Sequence, residues 1–151
     1  MTTLSLLAGL ALGPVVGLVA TLAMDLVMPR LPEGATAPKV AAGVLTDTPV
    51  DDAPARLATW VHYVAGAGSG LLFVGLVAAT GSLVGLGPLA TVAVAGVVQL
   101  ALMVGFFAVV PLPRASGLPR QRLGAIRRDW AISAATYVLV AAVIVAVATG
   151  V

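Results

Sequence analysis

The sequence predicts an all-α, polytopic membrane fold: a bundle of four membrane-spanning helices with two loops on the cytoplasmic side. Three observations carry this. First, 60% of the residues are hydrophobic and 9% are charged, with a mean hydropathy of +1.12, which leaves too little polar surface to cover a water-exposed globule. Second, the eight basic and six acidic side chains fall in only two windows, Asp25 to Arg56 and Arg114 to Asp129. Third, the rest of the chain divides into four apolar stretches. Each is long enough to cross a hydrocarbon core of roughly 30 Å, which takes roughly 20 helical residues.

The spans run approximately from Leu4 to Met28, Leu57 to Ala79, Leu83 to Val110 and Trp130 to Gly150, and 151 residues leave room for a single membrane domain, 1–151. The first begins MTTLSLLAGL with no positive charge ahead of its apolar run, so it reads as a retained helix and not a cleaved signal. Pro14 lies inside it and cannot donate to the carbonyl of Leu10, which predicts a bend near Gly13 and Pro14; an alternative start for the span is near Leu12. The connection that follows is proline-rich at Pro29, Pro32 and Pro38, then carries an apolar patch from Val40 to Leu45 that suits a short interfacial helix.

The second and third spans are joined by an uncharged link around Thr80 to Gly87, with Pro88 placed for a first helical turn, so they form a tight antiparallel hairpin. The second long connection, PLPRASGLPRQRLGAIRRDW, turns Arg-rich and can be helical from Gln121 to Arg128, its arginines reaching to headgroups. All eight Lys and Arg residues sit in the two long connections. Because positive loops stay cytoplasmic, both termini are expected outside the cell membrane.

Polar and small residues inside the spans are the candidates for function. In the first span Ser5, Gly9, Gly13, Gly17, Thr21 and Asp25 recur at every fourth position and so share one helix face. In lipid no hydrophobic force separates helix from acyl chain, and small residues drive association by letting backbones approach. His62, Gly66 and Gly70, with Ser69 beside them, form a matching stripe in the second span. Antiparallel packing brings Asp25 and His62 to comparable depth, which predicts a contact between them. Two readings stand for that pair, a polar clasp between helices or a proton- or ion-handling site.

Gln99 lies near the middle of the third span, with Gly96 and Met103 on its face. A buried amide needs partners, and Ser69 or Thr136 on neighbouring helices are the candidates; the other reading places Gln99 on a narrow polar pathway. The fourth span opens with Asp129 and Trp130 and carries Ser133, Thr136 and Tyr137. Trp60 and Trp130 suit aromatic anchoring at the cytoplasmic interface, whereas the deeper Tyr137 hydroxyl calls for a partner on another helix.

Recognisable catalytic constellations are missing: there is no phosphate-binding glycine loop, HExxH or GxSxG motif, and no cysteine. A single histidine supplies neither a multi-His metal site nor two haem ligands within one chain. Asp51 and Asp52 read as solvated loop charges; Asp47, Asp51 and Asp52 could offer weak cation ligands, but they lack EF-hand spacing. No cofactor, metal or nucleic-acid partner is expected, since the basic residues lie beside the spans, where lipid headgroups are nearest.

The runs GLVATLAMDLVM at 17–28 and WVHYVAGAGSGLLFVGL at 60–76, with a glycine-containing third span ending in PLP, resemble an uncharacterised family of small four-helix prokaryotic membrane proteins. The matching positions are Gly17, Ala20, Thr21, Met24, His62, Gly66 and Gly70; the fourth span departs, lacking the further histidine and glycine pattern common in that family. The resemblance implies a fold and a cell-membrane location and no activity. The expectation is a non-enzymatic accessory or structural subunit, with the bilayer and a second copy or another membrane subunit as partners. The alternative is a small oligomeric transporter or channel whose pathway passes Gln99, His62, Asp25 and Tyr137.

Overall fold

The computed structural model describes residues 6–150, with side chains from Ala8 onward. Among these residues the chain is all-helical: α1 Leu6–Val27, α2 Thr36–Thr46, α3 Ala55–Val84, α4 Pro88–Val109 and α5 Arg120–Thr149, with short 3₁₀ turns at Met28–Arg30, Val50–Asp52 and Leu112–Arg114. Four stretches, Ala8–Arg30, Ala55–Val84, Pro88–Arg114 and Arg120–Thr149, are long and apolar enough to cross a membrane. The long helices form a closed quartet in which α1 packs on α3, α3 on α4, α4 on α5 and α5 back on α1, with α2 tucked under α3 at the end that carries the charges. Val16, Ala20, Met24, Phe73, Val92, Ala95, Tyr137, Val138, Ala141 and Val145 fill its centre.

Several boundaries differ from the sequence reading, each for a local reason. The second span continues past Ala79 to Val84, because the Ser82 hydroxyl bonds the carbonyl of Ala79 at 2.9 Å and leaves the helix intact. The turn is instead made by Gly85, which adopts φ +63°, and the third span begins at Pro88, not Leu83. That left-handed φ costs glycine nothing. The helix of the fourth span begins at Arg120, so the stretch from Gln121 to Arg128 is helical, as its composition allows, and enters the span without a break. Pro14 sits within α1, which continues through it as one element.

The apolar patch of the first connection is helical, but the helix starts earlier, at Thr36, and spends its apolar face on protein. Val40 and Ala42 are wholly buried, Val40 against Val50, Phe107, Leu112 and Ile126; Leu45 alone of the large residues stands out, at 66% exposure. Pro38 falls in the first turn of α2, where its missing N–H has no helical partner to lose. The two connections also meet directly, the Val50 amide donating to the Ser116 carbonyl at 3.1 Å.

The glycine stripe of α1 lies on that of α3 as the spacing predicts, and the contact is backbone on backbone. A Cβ at Gly17 would strike the Gly66 carbonyl; one at Gly70 would strike the Gly13 carbonyl and the Gly17 backbone; one at Gly13 would stand 2.6 Å from the Leu71 Cα. A Cβ at Gly66 would strike the Thr21 hydroxyl, which donates to the Gly17 carbonyl at 2.7 Å and so keeps its hydrogen within α1. Gly96 serves a different pair of helices, its added Cβ falling 3.3 Å from Val138 of α5, and Gly9 has only ordinary contact distance, 3.5 Å, to Val74. Ser5, the first member of the stripe, lies outside the described residues.

Gly17→Val and Gly70→Val should each lower the melting temperature of the detergent-solubilised protein sharply. Overpacking costs about 1–3 kcal/mol where side chains can yield, and here the obstacle is backbone. Gly68→Ala, with nothing within 4 Å of its added Cβ, should match or exceed the parent, because alanine favours helix by up to about 1 kcal/mol. Equal behaviour of the two sets in a fluorescence-monitored melt would refute the seam.

Candidate functional site

Three polar constellations lie along the bundle, and the first fastens the charged end of the α1–α3 seam. His62 Nε2 is 2.8 Å from Asp25 Oδ1, and the Tyr63 hydroxyl donates to Asp25 Oδ2 at 2.5 Å. The His62 side chain is 11% exposed and that of Asp25 34% exposed. The predicted Asp25–His62 contact is therefore present, and Tyr63, not foreseen as its third member, takes the second carboxylate oxygen. Its ring stands edge-on to His62 with centroids 5.4 Å apart. Facing a carboxylate oxygen, which can only accept when ionised, His62 Nε2 is placed to donate.

The second constellation ties the two connections together. Arg122 makes a two-pronged bond to Glu33, from Nε to Oε1 at 2.8 Å and from Nη2 to Oε2 at 3.0 Å, and its Nη1 reaches Asp51 Oδ2 at 2.9 Å. Planar, bidentate pairing of this kind is the stronger form of ion pair. The Thr36 hydroxyl, at the start of α2, donates to Glu33 Oε2. Asp129, wholly buried, accepts the Glu33 amide at 2.8 Å and Arg128 Nε at 2.7 Å. Asp51 is thus an ion-pair partner and not merely a solvated loop charge, and two of the arginines expected at headgroups are committed to carboxylates. The Arg122 guanidinium, with the Thr36 hydroxyl adding to it, holds the Glu33 carboxyl below its ordinary range against the opposing effect of burial.

The third constellation is a cleft of about 440 Å³ between α3 and α4, floored by α1 and α5 and closed at the charged end by α2. Its walls run from Ala37, Pro38 and Pro111 to Leu72 and Gln99, near the middle of α4. Leu72 and Leu102, each 47% exposed, and Phe106, 63% exposed, form lips that open sideways from the bundle. Gln99 is fully buried at its inner end, its Nε2 donating to the Ser69 carbonyl at 3.2 Å. The partner is thus the backbone of Ser69, not its hydroxyl, while Thr136 bonds the Ile132 carbonyl of its own helix. Gln99 Oε1 is buried and has no hydrogen-bond partner among the described residues.

Tyr137, also fully buried, lines the same cleft and donates to the Gly66 carbonyl at 2.7 Å. The same carbonyl lies against Gly17, whose added Cβ would strike it. Trp130 is half-buried: its Nε1 donates to the Met103 carbonyl at 3.2 Å and its ring centroid lies 5.0 Å from that of Phe107. Trp60 is 71% exposed. Of the four polar candidates, His62, Gln99 and Tyr137 therefore face one cleft, and Asp25 holds His62 from behind.

No protein-family model, curated protein or solved structure matches the chain. The resemblance to small four-helix prokaryotic membrane proteins accordingly rests on the motifs quoted for it.

The Glu33–Arg122 link gives the charged end a pH dependence whose sign follows from the lowered carboxyl. Stability from the pair is complete above the ordinary glutamate value of about 4.3 and is lost as pH falls through the lower folded value. Glu33→Gln should melt roughly 2–4 °C below the parent at neutral pH, as about 1 kcal/mol would produce. The two curves should converge on acidification below that window. Parallel melting curves across it would show that the link contributes nothing.

Proposed function

We propose that the chain is a non-enzymatic, multi-pass protein of the cell membrane that holds an apolar molecule in the cleft between α3 and α4, acting as an accessory and not as a catalyst. Gln99 Oε1 carries this reading. An amide oxygen buried without a partner costs roughly 1–3 kcal/mol, and this one belongs to a side chain that lines a space of about 440 Å³, within the roughly 300–1,000 Å³ typical of small-molecule sites. The lining is largely hydrocarbon and opens toward the flank of the bundle, the side from which a membrane-dissolved molecule would enter.

Conduction has less support. A pathway for ions or water needs polar groups in series, whereas Tyr137 and Gln99 direct their hydrogens to backbone carbonyls of α3. The proposed orientation places the charged end in the cytoplasm and both termini outside, supported by the confinement of all eight Lys and Arg residues to the two connections. Self-association or a membrane-subunit partner belongs to the same proposal, but the glycines that would have supplied a seam for it are used between α1 and α3.

A C-terminal reporter active only outside the cytoplasm should be active here; activity of a cytoplasm-specific reporter at the same position would invert the orientation. Protein purified in mild detergent should retain a small apolar molecule at near-stoichiometric amount by native mass spectrometry. Ala65→Trp, placed at the exposed lip of the cleft, should expel it without changing the melting curve by more than a few degrees. Recovery of nothing but bulk membrane lipid, equally from both proteins, would overturn the binding reading.

A further inference from the structure

The polar groups of the cleft specify the chemistry of its occupant, and this inference rests on the binding reading above. Four side chains of the lining each give a hydrogen to a backbone carbonyl. Thr21 donates to the Gly17 carbonyl, Tyr137 to the Gly66 carbonyl, Trp130 to the Met103 carbonyl and the Gln99 amide to the Ser69 carbonyl. Of the acceptor atoms these side chains keep, Gln99 Oε1 is the one buried without a hydrogen-bond partner among the described residues, and Gln99 lines the cleft. The orientation of the Gln99 amide follows from chemistry, because the Ser69 carbonyl can only accept and so requires the amide nitrogen beside it.

An occupant that satisfies Oε1 must therefore bring a hydrogen. The lining contains no Asp, Glu, Lys or Arg, and its one imidazole, His62, is already paired with Asp25, so an ionised carboxylate, phosphate or ammonium would be desolvated without an unpaired counter-charge, at a cost of several kcal/mol. Ketones, quinones, ethers and esters without a hydroxyl only accept hydrogen bonds and would set lone pair against lone pair at Gln99. Hydrocarbon alone would leave Oε1 unpaired. A neutral molecule with an extended apolar body and one hydroxyl meets every condition, its hydroxyl donating to Gln99 Oε1 and its body lying along Met103, Phe107, Ala37 and Pro38 toward the charged end.

We infer that the cleft between α3 and α4 is a binding site for an uncharged lipid alcohol, selected by the buried, unpaired oxygen of Gln99. Three probes with one chain length isolate the hydrogen: dodecan-1-ol, dodecyl methyl ether and dodecanoic acid, each titrated against delipidated full-length protein and read by native mass spectrometry. The alcohol should be held about tenfold more tightly than the ether, the difference a single buried hydrogen bond supplies, and more tightly than the ionised acid. In Gln99→Leu the alcohol should fall to the affinity of the ether while the ether is unchanged. Equal binding of alcohol and ether to the parent protein would overturn the alcohol assignment and leave the binding reading standing. Failure of all three probes to bind, in a protein that melts cooperatively, would overturn both.

Discussion

The approach of α1 and α3 to backbone contact is the constraint on which the remaining structure depends. Four glycines, two from each helix, occupy places where any Cβ would collide with main chain or with the Thr21 side chain. Between apolar helices, such closeness gains dispersion and weak C–H···O contacts that larger side chains forbid. It also determines what α3 cannot do. Drawn onto α1 by its small face, α3 meets α4 through side chains and leaves a gap that Gln99 bridges with one bond to the Ser69 carbonyl. The cleft is the complement of the seam. The Gly66 carbonyl, against which Gly17 lies, also accepts from Tyr137, so α5 is registered against α3 through the same backbone group.

The charged end contributes to the cleft through α2. Ala37, Pro38 and Ala41 close the cleft from below, and the helix that carries them begins at Thr36, whose hydroxyl is bonded to Glu33. Glu33 is held in turn by Arg122 through its side chain and by Asp129 through its amide. Asp129 is buried completely, and a buried carboxylate is tolerable only where charged or N–H donors surround it. Arg128 and the Glu33 amide meet that need. The network thus acts as a bracket: α5 reaches across to the first connection and fixes the position of the floor.

Much of the bundle was legible because membrane helices declare themselves by length and apolarity, and because a period of four in small residues has one geometric meaning. Gly13, Gly17, Gly66 and Gly70 could be paired from spacing alone, and the depth of Asp25 and His62 followed from counting along antiparallel helices. Tyr63 was missed because its neighbour His62 already satisfied the pattern, and spacing says nothing about the second oxygen of a carboxylate. Sequence spacing makes Asp51 a solvated loop charge and Arg122 a headgroup contact and gives Glu33 no role, since the pairing of the three depends on how two loops distant in sequence fold over one another. The helix boundaries shifted because Thr80, Gly81 and Ser82 carry the composition of a turn, while the left-handed backbone that ends α3 belongs to Gly85. Gln99 stood out by depth, but an unpaired oxygen is a property of its surroundings and has no sequence signature.

The difference between a conduit and a binding site at this position comes down to where hydrogens point. A transported ion or water needs groups that can exchange partners along a path, and such groups must be free to turn. The Tyr137 hydroxyl, the Thr21 hydroxyl and the Trp130 indole are each held by a carbonyl, so each presents the cleft with a fixed polarity. Gln99 is oriented in the same way, and its remaining oxygen adds to that polarity instead of relieving it. Fixed polarity within apolar walls discriminates among ligands by the presence of one donor, which is a property of recognition. Holding such an oxygen away from water costs stability in the empty protein, and a hydroxyl that pairs with it recovers that cost as affinity.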